Sequence, residues 1–198
     1  MDATVVVDDS LTPSQAARRE RVIRAALDLG ASGGYDVVQM RDVAANAGVA
    51  LGTIYRYFSS KDHLLAEAMV AWTQDLERRV GQRPPKGDTV ADRVVEVLGR
   101  ATRAMEKEPK LSEAVVAALM SPDRGAAACQ EEVSASMNRI MDLAMGDVDP
   151  DVRHQITRTL GYVWMSALIG WVNGWSGMER VATEVEIAAH LILDPYSS

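Results

Sequence analysis

The 198-residue chain holds one cysteine, one phenylalanine and three histidines. A single cysteine, Cys129, excludes an intramolecular disulfide framework and a cysteine zinc cluster, and fits a reducing cytoplasm. Cys129 stands in an alanine-rich stretch and reads as a small buried residue. His63, His154 and His190 are scattered along the chain, so no metal-ligand spacing is visible and neither a metal nor a cofactor is expected. Without a His pair or a Gly-x-Ser-x-Gly sequence, an enzyme would lack a recognisable nucleophile and base, so catalysis is not expected. Long apolar runs are absent too. The longest, Leu160 to Trp171, is too short to span a bilayer and keeps helical periodicity, so no membrane association is expected. The first thirteen residues carry three Asp and no cation. They do not read as a secretory signal, and residues 1–12 are expected to form a disordered tail.

Charge is unevenly distributed. The formal total is −7, yet residues 14–63 hold seven Lys or Arg against five Asp or Glu, while residues 64–198 hold fourteen against twenty. A modest basic surplus therefore lies near the N-terminus and an acidic surplus in the remainder, the arrangement expected if only the first part approaches phosphate.

Helix punctuation recurs along the chain, and no stretch makes a convincing strand. Thr12, Pro13 and Gln15 form a capping box with proline at the first helical position, opening a helix to about Ser32. A long fourth helix from Lys61 to about Gln82 stops at Pro84, Pro85 and Gly87. Thr89 and Asp92 begin the fifth, with Val90, Val94, Val97, Leu98, Ala101 and Met105 on one face. Pro109 ends it. A short helix from about Leu111 to Met120 follows, and Ser121 and Pro122 start a seventh whose inner face is Val133, Met137, Ile140, Met141 and Ala144. Asp149 and Pro150 open the eighth, to about Trp175. Ser176 with Glu179 reads as the capping box of the ninth, to about Leu193. The expected fold is all-α with nine helices.

The segment QMRDVAANAGVALGTIYRYFSSK, residues 39–61, is chemically the most informative. It reads as two short helices, about Met40 to Ala47 and Leu51 to Tyr57, joined by a turn in which Gly48 supplies backbone freedom. Ile54 and Phe58 share a buried face one helical turn long, leaving Thr53, Tyr55, Arg56 and Tyr57 on the others. Ordinary bundle helices have no need for Gly-Thr and two tyrosines in so short an exposed span. Gln39 and Ala50 stand at the two N-caps and are poor capping residues, so tertiary packing is expected to set these helix starts. Lys61, following Ser59 and Ser60, places a cation where a capped helix start could meet phosphate.

The run Gly52, Thr53, Tyr55, Tyr57, Phe58, Lys61 and Leu64 closely resembles the TetR family of one-component bacterial repressors, and Gly33, Gly34 and Tyr35 are similar to the exit of that family's first helix. The resemblance implies a DNA-binding domain over residues 13–60 and a ligand-binding and dimerisation domain over 61–198. Its implied partners are double-stranded operator DNA, an apolar small-molecule effector and a second copy of the chain. Arg41, Leu51, Gly52, Thr53, Tyr55, Arg56, Tyr57 and Lys61 are the expected DNA-binding residues. Relatives place their cavity among the fourth to eighth helices, which here implies Met69, Trp72, Met105, Leu119, Met120, Met137, Met141, Trp164, Met165 and Leu168 as lining. Ten methionines against one phenylalanine suit an adaptable apolar surface.

The eighth helix is apolar on more than one side, which a monomer could not hide; with the ninth it is the expected dimer interface, through Trp171, Trp175, Val185 and Leu191. A two-fold dimer would hold two recognition helices ~34 Å apart, in successive major grooves. The phrases GGYDVVQMR, GTIYRYFSSKDHLL, LSEAVVAALM and VWMSALIGW further resemble repressors of sterol catabolism, implying a steroid-derived acyl-CoA as effector, with CoA phosphates nearest to Arg78, Arg79, Arg100 and Arg103. The alternatives are a regulator of efflux or stress genes answering diverse hydrophobic compounds, an architectural DNA protein and a helical enzyme.

Overall fold

The computed structural model describes residues 11–146 and 148–196. Most of the expected N-terminal tail, residues 1–10, lies outside them. Among the described residues there are nine α-helices and no strand: α1 Pro13–Gly33, α2 Met40–Ala47, α3 Leu51–Tyr57, α4 Lys61–Gln82, α5 Val90–Glu106, α6 Pro109–Leu119, α7 Arg124–Met145, α8 Pro150–Val172 and α9 Met178–Leu193. None of these helices is long and apolar enough to cross a membrane.

Local chemistry sets most of the ends. Thr12 accepts from the Gln15 backbone while the Gln15 side chain accepts from the Thr12 N–H, and Thr89 and Asp92 repeat the box at α5. Gln39 and Ala50 make no side-chain cap bond. The starts of α2 and α3 are held instead by burial of Val38, Val43 and Ile54. At the end of α2, Gly48 takes the left-handed conformation (φ 64°), and the N–H groups of Gly48 and Val49 close back onto Ala45 and Ala44.

Four boundaries differ from the sequence reading. Pro109 does not merely stop α5; it is the first residue of α6, where its missing N–H costs nothing. The start of α7 is capped by Asp123, whose carboxylate accepts from Gly125 and Ala126; the Ser121 hydroxyl donates to Asp62 and accepts from the Asp123 N–H, one residue before the helix begins. α8 ends at Val172, where Gly174 (φ 71°) returns its N–H to Trp171 and Trp175 returns its own to Gly170. Trp175 is thus outside the helix, not one turn beyond Trp171. α9 has Gly177 at its N-cap with no side-chain cap bond, so the Ser176 and Glu179 box does not form. The Glu179 carboxylate folds over Gly177 so closely that a Cβ there would sit 2.1 Å from it.

The chain divides into two compact units, residues 1–75 with 108–133, and residues 76–107 with 134–198. In the first, Val22, Ile23 and Ala26 of α1 join Val43, Ile54, Phe58, Leu64 and Leu65 around one core that also takes in Ala114 and Ala118 of α6. Each fully buried Ile, Leu or Phe contributes ~1.5–3 kcal/mol, so this core is what fixes the α2–α3 pair. In the second, α9 turns Met178, Val181, Val185, Ala189 and Leu193 inward and packs against both α5 and α8.

Candidate functional site

α2 and α3, joined by the turn at Gly48, each carry exposed residues. Leu51, Gly52, Tyr55 and Arg56 on α3 and Arg41 on α2 are exposed, whereas Thr53 and Tyr57 are half-buried. Ile54 and Phe58 are fully buried beneath them, so the helix has one core side and one free side. The Arg56 guanidinium lies 5.2 Å from the centre of the Tyr57 ring and donates to its hydroxyl at 3.3 Å. That stack holds a cation and a hydroxyl together at the end of α3. At Gly52 a Cβ would meet no atom within 4 Å, so the protein's own packing does not demand glycine there.

Lys61 is held rather than loose. Its ammonium sits 3.7 Å from the centre of the Tyr35 ring and donates to the Tyr35 carbonyl at 3.3 Å. The Tyr35 hydroxyl donates to Asp62 at 2.5 Å, and Ser121 donates to the other oxygen of Asp62 at 2.6 Å. Burial, then the Asp62 hydrogen bond and charge, push the Tyr35 phenol up to about 12. The start of α4, immediately after α3, is thereby fastened to the loop after α1 and to the residues between α6 and α7.

The expected apolar lining falls into two groups. Met69, Trp72 and Leu119 are buried in the first unit, but Met120 is 46% exposed just past α6 and belongs to no apolar interior. In the second unit Met105, Met141, Trp164 and Leu168 are buried, with Met137 and Met165 half-buried. Trp164 Nε1 is buried with no hydrogen-bond partner among the described residues. The same unit contains a groove of about 470 Å³ lined by Arg79, Gln82, Arg83, Glu96, Arg100 and Arg103. Arg79, Arg100 and Arg103, three of the four arginines named as nearest to CoA phosphates, line it. Arg78 does not line the groove, and Arg83, missed in that reading, takes its place. Arg100 donates to Glu96 at 2.6 Å and to the Arg83 carbonyl at 2.7 Å, and Arg103 folds back over Gly99. Four guanidinium groups against one carboxylate make this an anion-attracting surface.

On α8 and α9 the expected interface residues separate. Val185 is buried in the protomer's own core, which corrects its assignment to an interface. Trp171 is half-buried, while Trp175 is 76% and Leu191 77% exposed. Tyr162 and Ile187 extend the exposed apolar set.

Sequence spacing also concealed a cluster. His63, Glu67 and Cys129 present ligand-type atoms within 4.8 Å of one another, although the sequence shows no metal-ligand spacing. The signal available was His63 and Glu67 at i and i+4 on α4; the approach of Cys129 depends on α7 packing and could not be read from spacing. Burial, then the charges of Glu67 and Glu132, push the Cys129 thiol up to about 12.

Residues 22–68 match the family described as bacterial regulatory proteins, tetR family, and residues 87–192 match the tetracyclin repressor-like C-terminal domain. The chain is 39% identical to the HTH-type transcriptional repressor KstR of Rhodococcus jostii (strain RHA1) over 192 residues, which is 96% of this chain and 90% of that one. It is similar to the crystal structure of a TetR transcriptional regulator from Rhodococcus sp. RHA1, with a TM-score of 0.81 and 30% identity over 91% of this chain and 97% of that one. In fold it is also similar to Thermus thermophilus FadR in complex with lauroyl-CoA, with a TM-score of 0.68 and 19% identity over 88% and 92% of the two chains. With a free-faced α3 on a packed α2–α3 core, one family match spanning that pair and a second covering residues 87–192, the chain belongs to the TetR family of helix-turn-helix transcriptional regulators.

Proposed function

We propose that the protein is a dimeric repressor that reads operator DNA with α3 and releases it on binding an acyl-CoA thioester whose acyl part is a steroid ring system or long chain. The observation that carries the effector class is the arginine groove, whose guanidinium groups suit CoA phosphates. The buried Trp164 Nε1, without a partner among the described residues, would be satisfied by an oxygen of a bound ligand. The KstR likeness and the lauroyl-CoA held by the structurally similar FadR favour the same class. Effector preference of tenfold for the DNA-free state supplies about 1.4 kcal/mol, enough to relieve repression in part. α4, which follows the recognition helix directly and supplies residues to both units, is the proposed connector.

Titrating a fluorescent operator complex with a steroid acyl-CoA, the free steroid acid and a fatty acyl-CoA tests this reading. Release by CoA thioesters well below the concentration needed for the free acid is expected. In Arg103→Ala, operator affinity should be unchanged, while the acyl-CoA concentration for half-release rises ~10- to 100-fold, because a hydrogen bond to a charged group contributes ~1.5–3 kcal/mol. Equal release of wild type and variant, or release only by a small polar metabolite, would overturn the effector assignment.

The reading also gives Gly52 a role that folding does not. Since a Cβ there has open space, Gly52→Ala should melt at or above the wild-type temperature. Operator binding should nonetheless weaken at least tenfold, because the methyl group projects from the start of α3 toward the groove. A variant that binds operator as tightly as wild type would place DNA on another face.

A further inference from the structure

We propose that His63, Glu67 and Cys129 form a binding site for a divalent transition-metal ion of the zinc type, joining the start of α4 to α7 within the first unit. The three donors are the imidazole, carboxylate and thiol that such ions select, and they lie within 4.8 Å of one another. His63 Nε2 and Glu67 Oε1 are 3.5 Å apart, close to the edge of about 3.4 Å of a tetrahedron with bonds of about 2.1 Å. Only the sulfur has to close in. The other Glu67 oxygen is held by Arg19 at 2.6 Å, the kind of outer-shell contact that orients a ligating carboxylate, and Oε1 is the oxygen that faces His63 Nε2. α7 has a glycine where it passes the imidazole, and a Cβ at Gly125 would lie 2.5 Å from His63 Cγ and Nδ1.

The surroundings support a bound cation. Glu132, one turn from Cys129 on α7, adds its charge to that of Glu67 at the sulfur. A metal with the Cys129 thiolate and Glu67 is neutral as a set, leaving Arg19 and Glu132 to balance each other. Ser59 Oγ lies 3.2 Å from His63 Nδ1 and donates to Asp123 at 3.2 Å, so it can accept an Nδ1 proton. The Ser59 backbone N–H donates to the same Nδ1 when the proton is on Nε2. Coordination through Nε2 requires a neutral imidazole with its proton on Nδ1, facing Ser59 Oγ, and the Cys129 thiol proton to leave to solvent.

The test is titration of the untagged full-length protein with cobalt(II). Because Cys129 is the only cysteine, a thiolate-to-cobalt charge-transfer band reports on this site alone. A band saturating at one equivalent per chain, with tetrahedral ligand-field absorption and bleaching by zinc, is expected. His63→Gln should bind cobalt at least tenfold more weakly, and Cys129→Ala should lose the charge-transfer band, with helix content by circular dichroism unchanged in both. Absence of the band in wild type, or a band of equal affinity in folded His63→Gln, would overturn the site and leave the cluster as an Arg19–Glu67 ion pair beside a packed thiol.

Discussion

Leu191→Glu is expected to fold like the wild type, sediment as a monomer and lose operator binding. Leu191 is 77% exposed on the protomer, so the substitution leaves the α9 core face of Val181, Val185 and Ala189 untouched. In a two-fold dimer the same change occurs twice. Each copy forfeits ~1.5–3 kcal/mol of apolar burial and places a carboxylate in the interface. A loss of more than about 4 kcal/mol, or roughly a thousandfold in dimer affinity, follows. Trp175 lies on the exposed segment just beyond α8, and Trp175→Glu should act in the same direction. A folded Leu191→Glu variant that remains dimeric in sedimentation would move the interface away from the exposed side of α9.

Phe58→Ala is expected to damage the first unit most among single substitutions at the recognition helix. Phe58 is fully buried at the end of α3, with the Arg19 guanidinium 5.4 Å above its ring and His63 at 5.6 Å edge-on. Truncating a buried phenylalanine costs ~3–5 kcal/mol, a large share of the ~5–15 kcal/mol that a domain has in total. For a chain of this size that is a fall of roughly 6–20 °C in melting temperature. Operator binding should fail together with the fold. A melting temperature within two degrees of wild type would mean that Phe58 does not anchor α3.

The helices were legible where a start or stop is written in contiguous residues, as with the Thr12 and Thr89 boxes, Gly48, and the Asp149 and Pro150 pair that opens α8. The reading failed where two candidates compete for one role. Ser121 could cap α7, but the helix begins at Arg124, so Ser121 accepts only as far as the Asp123 N–H and the Asp123 carboxylate caps the first turn. Ser176 could cap α9, but Gly174 ends α8 early and Gly177 becomes the cap. The recognition helix was legible because its buried and free residues alternate within one turn and a half. The arginine groove was legible only in part: Arg100 and Arg103 are close in sequence, whereas the contribution of Arg83 depends on how the end of α4 passes α5. Val185 was misassigned because an apolar stripe on α9 does not reveal which of its two sides faces the protomer's own core. The His63, Glu67 and Cys129 cluster joins residues more than sixty positions apart and is a product of packing.

A hydroxyl-radical footprint of the operator complex, repeated with increasing steroid acyl-CoA, tests the central claim most directly. Two protected patches on one face of the duplex, about one helical turn apart, are expected, and both should disappear together as the acyl-CoA is added. A single protected patch, or two patches that persist at saturating acyl-CoA, would contradict the account of a dimeric, acyl-CoA-released repressor.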